Sequence, residues 1–325
     1  MTRARALFFG TPAFSVPCLD ALAEVCDVVL CVTQPDRPSG RGLQLAAPPV
    51  KVRAVELGIP VLQPTKVRTP EFAEQLRTQN ADIALVVAYG RILPLGVLQA
   101  PRLGCLNVHA SLLPKWRGAA PIQWSVVSGD KETGVCLMQM DEGLDTGPVL
   151  ARKSLAIGPD ETAGELNERL AALGATLIRE QLPRVLAGEL KPIAQDHANF
   201  THAPILEKAH GRIDFTKSAQ AIHDLVRGMS PWPSAHTLLG KTHVKVHRSH
   251  VMNEPFSRGE PGYVIRADKH DGIVVACAGS AIAFDELQPE GKRRMTATEL
   301  LAGRFVSVGD RFTSKEATAS TEGTA

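Results

Sequence analysis

A chain of 325 residues with 44% apolar and 22% charged side chains has the balance of an ordinary soluble globular protein and is long enough for two domains. A net charge of +2 selects no class of partner by itself, and aromatics at 5% argue against a surface built on base stacking. The six cysteines, Cys18, Cys26, Cys31, Cys105, Cys136 and Cys277, lie scattered in apolar runs without a Cys-x-x-Cys pair, which excludes a disulfide frame and a zinc knuckle.

The opening "MTRARALFFG" is too short and too weakly apolar for a signal peptide, and no later stretch approaches a membrane span. The first half then alternates two patterns. Strands are expected over 4–9, 28–33, 61–63, 82–88, 105–109 and 134–140, and helices over 15–24, 49–57 and 70–79. The last of these helices opens on Thr69-Pro70-Glu71, an N-cap signature. Near-continuous apolar strands alternating with helices predict an α/β domain with a mainly parallel sheet. A long amphipathic helix follows over 162–187, with Leu166, Leu170, Leu173, Leu177, Ile178 and Leu182 at helical spacing.

Residues 190–207 show no clear period and carry two prolines, so they read as a linker. Beyond them one helix over 217–229 precedes short strands at 243–248, 262–266, 272–277 and 281–287 with Gly and Asp turns between, the pattern of a small β-barrel or sandwich. The expected organisation is therefore 1–189, a linker 190–207, a second domain 208–313 and a disordered tail 314–325. Residues 208–325 hold 16 Lys+Arg against 13 Asp+Glu and seven of the ten histidines. That modest excess suits a nucleic-acid surface or a solvated face equally well.

The chemistry concentrates in "GCLNVHASLLPKWRGAAPIQ", residues 104–123. Alternation puts Leu106 and Val108 on one face of a strand and Asn107 and His109 on the other. A lone histidine ending a strand is ordinarily a hydrogen-bonded structural residue. An asparagine on the same face gives two buried polar groups in need of partners, and open α/β sheets bind ligands at the carboxyl ends of their strands. The glycine-flanked run "MDEGLDTGP", 140–148, offers Asp141, Glu142 and Asp145 as carboxylates able to orient the imidazole. Amide, imidazole and carboxylate together suit acyl-type transfer, with an oxyanion donor, a proton carrier and an orienting group. Gly-x-Ser-x-Gly is absent, so the attacking group should belong to a substrate. "GRGLQL", 40–45, lacks the third glycine of a dinucleotide fingerprint, "GTPAF" lacks a Walker lysine, and His243 with His247 lack a nearby Cys or paired carboxylate for a metal.

"FFGTPAFSVPCLDAL", "TQPDRPSGRG", "VVAYGRILP", "NVHASLLPKWRGAAPIQ" and "MQMDEGLDTGPVL", in that order, resemble the methionyl-tRNA formyltransferases. The likeness continues more loosely through "GRIDF", "MSPWPSAHT" and "LQPEGKRRM". It implies a Rossmann-like, mainly parallel formyltransferase domain followed by a small OB-like β-barrel. It implies transfer of a formyl group from 10-formyltetrahydrofolate to methionyl initiator tRNA by a cytoplasmic monomer that needs neither metal nor membrane. The catalytic trio then falls on Asn107, His109 and Asp145. Folate contacts fall on Ser111, Leu112, Leu113 and Pro114 and on Tyr89, Gly90, Ile92 and Leu93. The tRNA contacts fall on Arg37, Arg41 and Lys51 of the loop 34–51, with Arg53 beside it, and on Lys292, Arg293 and Arg294. One departure is visible: Leu43, Gln44 and Leu45 stand where the family carries lysines. A formyltransferase acting on a glycinamide ribotide or an amino sugar, a hydrolase that deformylates folate, and a non-catalytic RNA-binding protein on a retired enzyme fold are the rival readings.

Overall fold

The structure, a computed structural model, describes residues 3–39, 44–252 and 259–314. These form two compact units. The first draws on 1–122, 132–156 and 165–205, and the second on 123–131, 157–164 and 206–325.

The first unit is a seven-stranded sheet in the order Val149–Ala156, Glu132–Gln139, Cys105–His109, Ile83–Val87, Arg5–Gly10, Asp27–Val32 and Val61–Leu62. From Cys105–His109 onward every neighbouring pair is parallel; the two strands at the other edge are antiparallel. Ala6, Leu7, Phe8 and Phe9 are all fully buried. Successive side chains point to opposite faces, so both faces of the central strand must be covered. The helices Val16–Val25, Pro49–Glu56, Pro70–Arg77 and Ala163–Leu186 alternate with and follow these strands. Thr69 caps the third of them by accepting the Phe72 N–H at 3.2 Å. Leu166, Leu170, Ile178 and Leu182 of the long helix are fully buried. At Gly174 this helix comes so close to the sheet that a Cβ would lie 3.2 Å from both Val108 and Cys18. Val108 therefore faces the long helix, which leaves Asn107 and His109 on the opposite face.

Residues 190–207 carry no period because single bridges and side chains, not a repeating ladder, hold them. Ile193 exchanges both backbone hydrogen bonds with Val149, at 2.8 and 2.9 Å. His202–Ala203 runs parallel to Arg117–Gly118, and Gln195 is buried. Through residue 205 this stretch belongs to the first unit.

The second unit is an antiparallel sheet in the order Val264–Asp268, Gly272–Cys277, Ser280–Pro289, Thr242–Val251, Ala235–Leu239 and Phe312–Thr313. Arg311 also bridges Tyr263, beside the first of these strands. Residues 311–313 thus pair with both edges and curl the sheet into a small barrel. Phe215, Phe284 and Phe312 meet in its core with ring centroids 5.7–6.3 Å apart. The strands Val149–Ala156 and Ala235–Leu239 were not expected from sequence. In the first, Arg152 and Lys153 break the apolar run; the second follows directly on Pro231 and Pro233. Arg41 and the tail from residue 315 lie outside the described residues. Among the described residues, no helix is long and apolar enough to cross a membrane.

Candidate active site

Strand Cys105–His109 sits where the sheet changes from parallel to antiparallel pairing. Neighbours on both sides satisfy its backbone, so what it presents is side chains. The chain leaves it through Ser111, whose hydroxyl donates to the Lys115 carbonyl at 2.6 Å, and through a cis Leu113–Pro114 bond. It then turns at Trp116, where φ is +60°. That turn brings the Trp116 carbonyl back to His109 Nε2 at 2.9 Å. A carbonyl only accepts, so Nε2 carries the hydrogen and Nδ1 is the nitrogen left to face outward.

Nδ1 looks toward Asp145, whose Oδ2 lies 3.6 Å away. The same oxygen accepts the Gly118 N–H at 2.9 Å, and the other oxygen lies 3.4 Å from Asn107 Nδ2. One carboxylate thus stands between an amide and an imidazole, with a backbone N–H fixing it. His109 is buried and the Asp145 side chain is 15% exposed, so the carboxylate is the more accessible of the two. Of the three carboxylates that sequence left open, only Asp145 reaches this cluster. Asp141 is spent inside its own loop, accepting from Gly143 N at 3.1 Å and Thr146 Oγ1 at 2.7 Å. Sequence reasoning missed the supporting groups, the Trp116 carbonyl and the Gly118 N–H. The cue was Gly118 itself: its φ is +127°, and a Cβ there would sit 2.5 Å from the Ala203 carbonyl oxygen.

The expected folate residues divide. Ser111 and Leu113 are buried, Leu113 against Cys136, Met138 and Val149, whereas Tyr89 and Leu93 belong to the apolar core of the first unit. Tyr89 packs edge-on against Phe9 with centroids 5.4 Å apart. Burial pushes its phenol up to about 12, and the hydroxyl has no hydrogen-bond partner among the described residues. Gly90, at φ +80°, and Ile92, which is exposed, lie at the surface. A cavity of about 740 Å³ opens in this unit between Leu98, Gly104, Leu106, Gln139, Met140 and Glu142, within the roughly 300–1,000 Å³ usual for small-molecule sites. Its wall includes the start of the loop that carries Asp145.

The expected tRNA cations are mostly committed elsewhere. Arg37 donates to Gln34 Oε1 at 3.0 Å. Lys51 pairs with Asp36 at 2.7 Å, and hydrogen bonds from Lys51 and Gln63 hold that carboxyl below its usual range. Arg53 pairs with Asp20 and Glu56 at 2.7 and 2.9 Å. Arg293 pairs with Glu299 at 2.6 Å, and Arg294 pairs with Glu286. Lys292 is exposed, and its ammonium has no partner among the described residues. Among the described residues no cluster of three metal-ligating side chains forms. His247 instead meets Gln288 at 3.1 Å, and burial lowers its pKa.

Residues 4–182 match the formyl transferase family, and residues 205–304 match its C-terminal domain. The chain belongs to the formyl transferase family. Among its relatives, the methionyl-tRNA formyltransferase of Sorangium cellulosum is 56% identical over 94% of this formyltransferase and 98% of the relative. That of Myxococcus xanthus is 53% identical over 96% and 98%. The fold is shared with an N-formyltransferase of Helicobacter canadensis, solved with folinic acid and dTDP-3-aminofucose. That likeness has a TM-score of 0.65 at 19% identity and covers 87% of this chain and 99% of that one.

Proposed function

We propose that this chain transfers the formyl group of 10-formyltetrahydrofolate to the α-amino group of methionine on initiator tRNA. The observation that carries the substrate assignment is near-full-length identity above 50% to two relatives that bear that activity as their name. The chemistry rests on the Asn107, His109 and Asp145 cluster. The neutral amine attacks the formyl carbon, the new N–C bond forms, and the carbonyl oxygen becomes an oxyanion. Asn107 Nδ2 is held only loosely at 3.4 Å, so it is free to donate to that oxyanion. His109 is anchored through Nε2, and its Nδ1 is the proton-handling atom. Asp145, fixed by the Gly118 N–H, sets the imidazole's orientation. When the bond from carbon to the folate nitrogen breaks, that nitrogen takes up the proton the amine has lost. The balance needs no external acid or base.

Ser111 to Pro114, with Tyr89, Gly90, Ile92 and Leu93, are assigned to the folate. Arg37, Arg41, Lys51, Lys292, Arg293 and Arg294 are assigned to tRNA phosphates. The domain roles follow: 1–189 for catalysis, 190–207 as the connection, 208–313 for tRNA. All three catalytic side chains come from one chain, which fits a monomer working in the cytoplasm beside translation. The test is to incubate the protein with 10-formyltetrahydrofolate and separately with methionyl initiator tRNA, glycinamide ribotide and a nucleotide-linked amino sugar. Formylmethionine should form and the other two amines should remain unmodified. Formylation of either small amine, or release of free formate alone, refutes the assignment.

A further inference from the structure

The main chain that carries Asp145 has a support of its own. Asp145 has φ +53°, in the left-handed region that a residue with a side chain keeps when its surroundings hold it there. The enforcing group is Gln195. Its Nε2 donates to the Asp145 carbonyl at 2.8 Å and to the Gly147 carbonyl at 2.7 Å. Its Oε1 accepts from Arg117 Nε at 3.1 Å and Nη2 at 2.8 Å. Two carbonyls that only accept stand on one side and a guanidinium that only donates on the other, so the amide can have one orientation. Gln195 and Arg117 are both buried. The Arg117 guanidinium is held in turn by His197 Nδ1 at 3.2 Å and by the Phe200 ring, 5.2 Å from its centroid. Arg117 also lies between Trp116 and Gly118, whose backbone groups contact His109 and Asp145.

We infer that Gln195, seated by Arg117, is a positioning residue for formyl transfer: it fixes the strained Asp145 loop so that the carboxylate faces His109 and Asn107. This rests on the reading above that Asp145 acts in the transfer. The stretch that sequence reads as linker would then be part of the catalytic apparatus.

The diagnostic variant is Gln195→Glu. It keeps the shape and still gives Arg117 an acceptor, so the buried guanidinium is not orphaned. It replaces the two donated hydrogens with an oxygen that faces two carbonyl oxygens, so the loop must shift. We expect kcat to fall by about 10- to 100-fold, as for misplacement of a catalytic group by about an ångström. KM for the folate should change by less than threefold and the melting midpoint should stay near wild type. In the double variant Gln195→Glu/Asp145→Ala, the first change should add nothing to the loss from the second. Gln195→Met, which removes all four hydrogen bonds, should lose both kcat and stability. Wild-type kcat in Gln195→Glu, a rise in KM for the folate in place of the fall in kcat, or multiplying losses in the double variant would overturn the inference. Full activity in Asp145→Ala would instead sink the catalytic reading on which it rests.

Discussion

Replacing Gly118 with alanine places a methyl group where the backbone leaves no room. The residue sits at φ +127°, and the new Cβ would lie 2.5 Å from the Ala203 carbonyl oxygen and 3.2 Å from its carbon. Both are main-chain atoms, so no side chain can swing aside. The unusual dihedral is worth about 1–3 kcal/mol, and forcing extra atoms into packed structure typically costs about 1–3 kcal/mol more. The sum, about 2–6 kcal/mol, is a large part of the about 5–15 kcal/mol by which folded domains are stable. The cheapest relief separates Arg117–Gly118 from His202–Ala203. That displaces the N–H which holds Asp145 Oδ2 at 2.9 Å and the Trp116 carbonyl which holds His109. We therefore expect activity to fall about 100-fold together with the loss in stability. Gly188→Ala is the control: its φ is +71° with nothing within 4 Å, so it should cost about 1–2 kcal/mol of stability and no activity. Calorimetric unfolding and single-turnover formylation of both variants make the comparison. If Gly118→Ala is as active as Gly188→Ala, the Gly118 N–H does not position the carboxylate; if it is also as stable, the steric calculation is wrong.

Asn107→Ala should fold normally and lose roughly 10²–10³ in turnover, the usual effect of deleting an oxyanion donor; turnover within a few-fold of wild type removes it from that role. Lys292→Ala should reduce the slope of log affinity for tRNA against log salt by about 0.7–0.9, and Arg41→Ala should do the same. Arg293→Ala should reduce it less, because Glu299 already engages that guanidinium, and should instead release the Glu299 carboxyl from about 2 toward 4.5, followed by NMR titration. Burial pushes the thiols of Cys18, Cys31, Cys105 and Cys277 up to about 12 and those of Cys26 and Cys136 to about 11. Because only the thiolate is nucleophilic, none should react with a thiol reagent at pH 8 in the native protein and all six should react after denaturation. Labelling of any one in the native state would refute its burial.

The parallel half of the sheet was legible because its strands are buried on both faces and read as unbroken apolar runs, as Ala6–Phe9 and Ile83–Val87 do. Asn107 and His109 were legible because strand periodicity puts them on one face whatever follows. The residue pattern narrowed their partner to three carboxylates and only the family resemblance singled out Asp145, since loop conformation is set by contacts such as Thr146 to Asp141 that have no period. Gln195 left no local signal at all: its importance lies in which carbonyls the fold brings beside it. Tyr89 carries the same limit: nothing in the run "VVAYGRILP" shows that its ring packs edge-on against Phe9. Likeness to a family assigns a position along the chain, but the direction a side chain takes from it depends on neighbours such as Phe9.

The carboxylate of this site rides on a connection, not on a strand. Glu132–Gln139 and Val149–Ala156 pair with Met138 opposite Val149, a register that a two-residue hairpin turn could close. The chain instead spends nine residues, 140–148, on a loop that folds over the neighbouring strand. A descendant that trimmed this loop would retain every strand of the sheet, its amide and its imidazole. It would keep the ancestry visible in its architecture and lose the chemistry, because the two are inherited in different pieces of sequence.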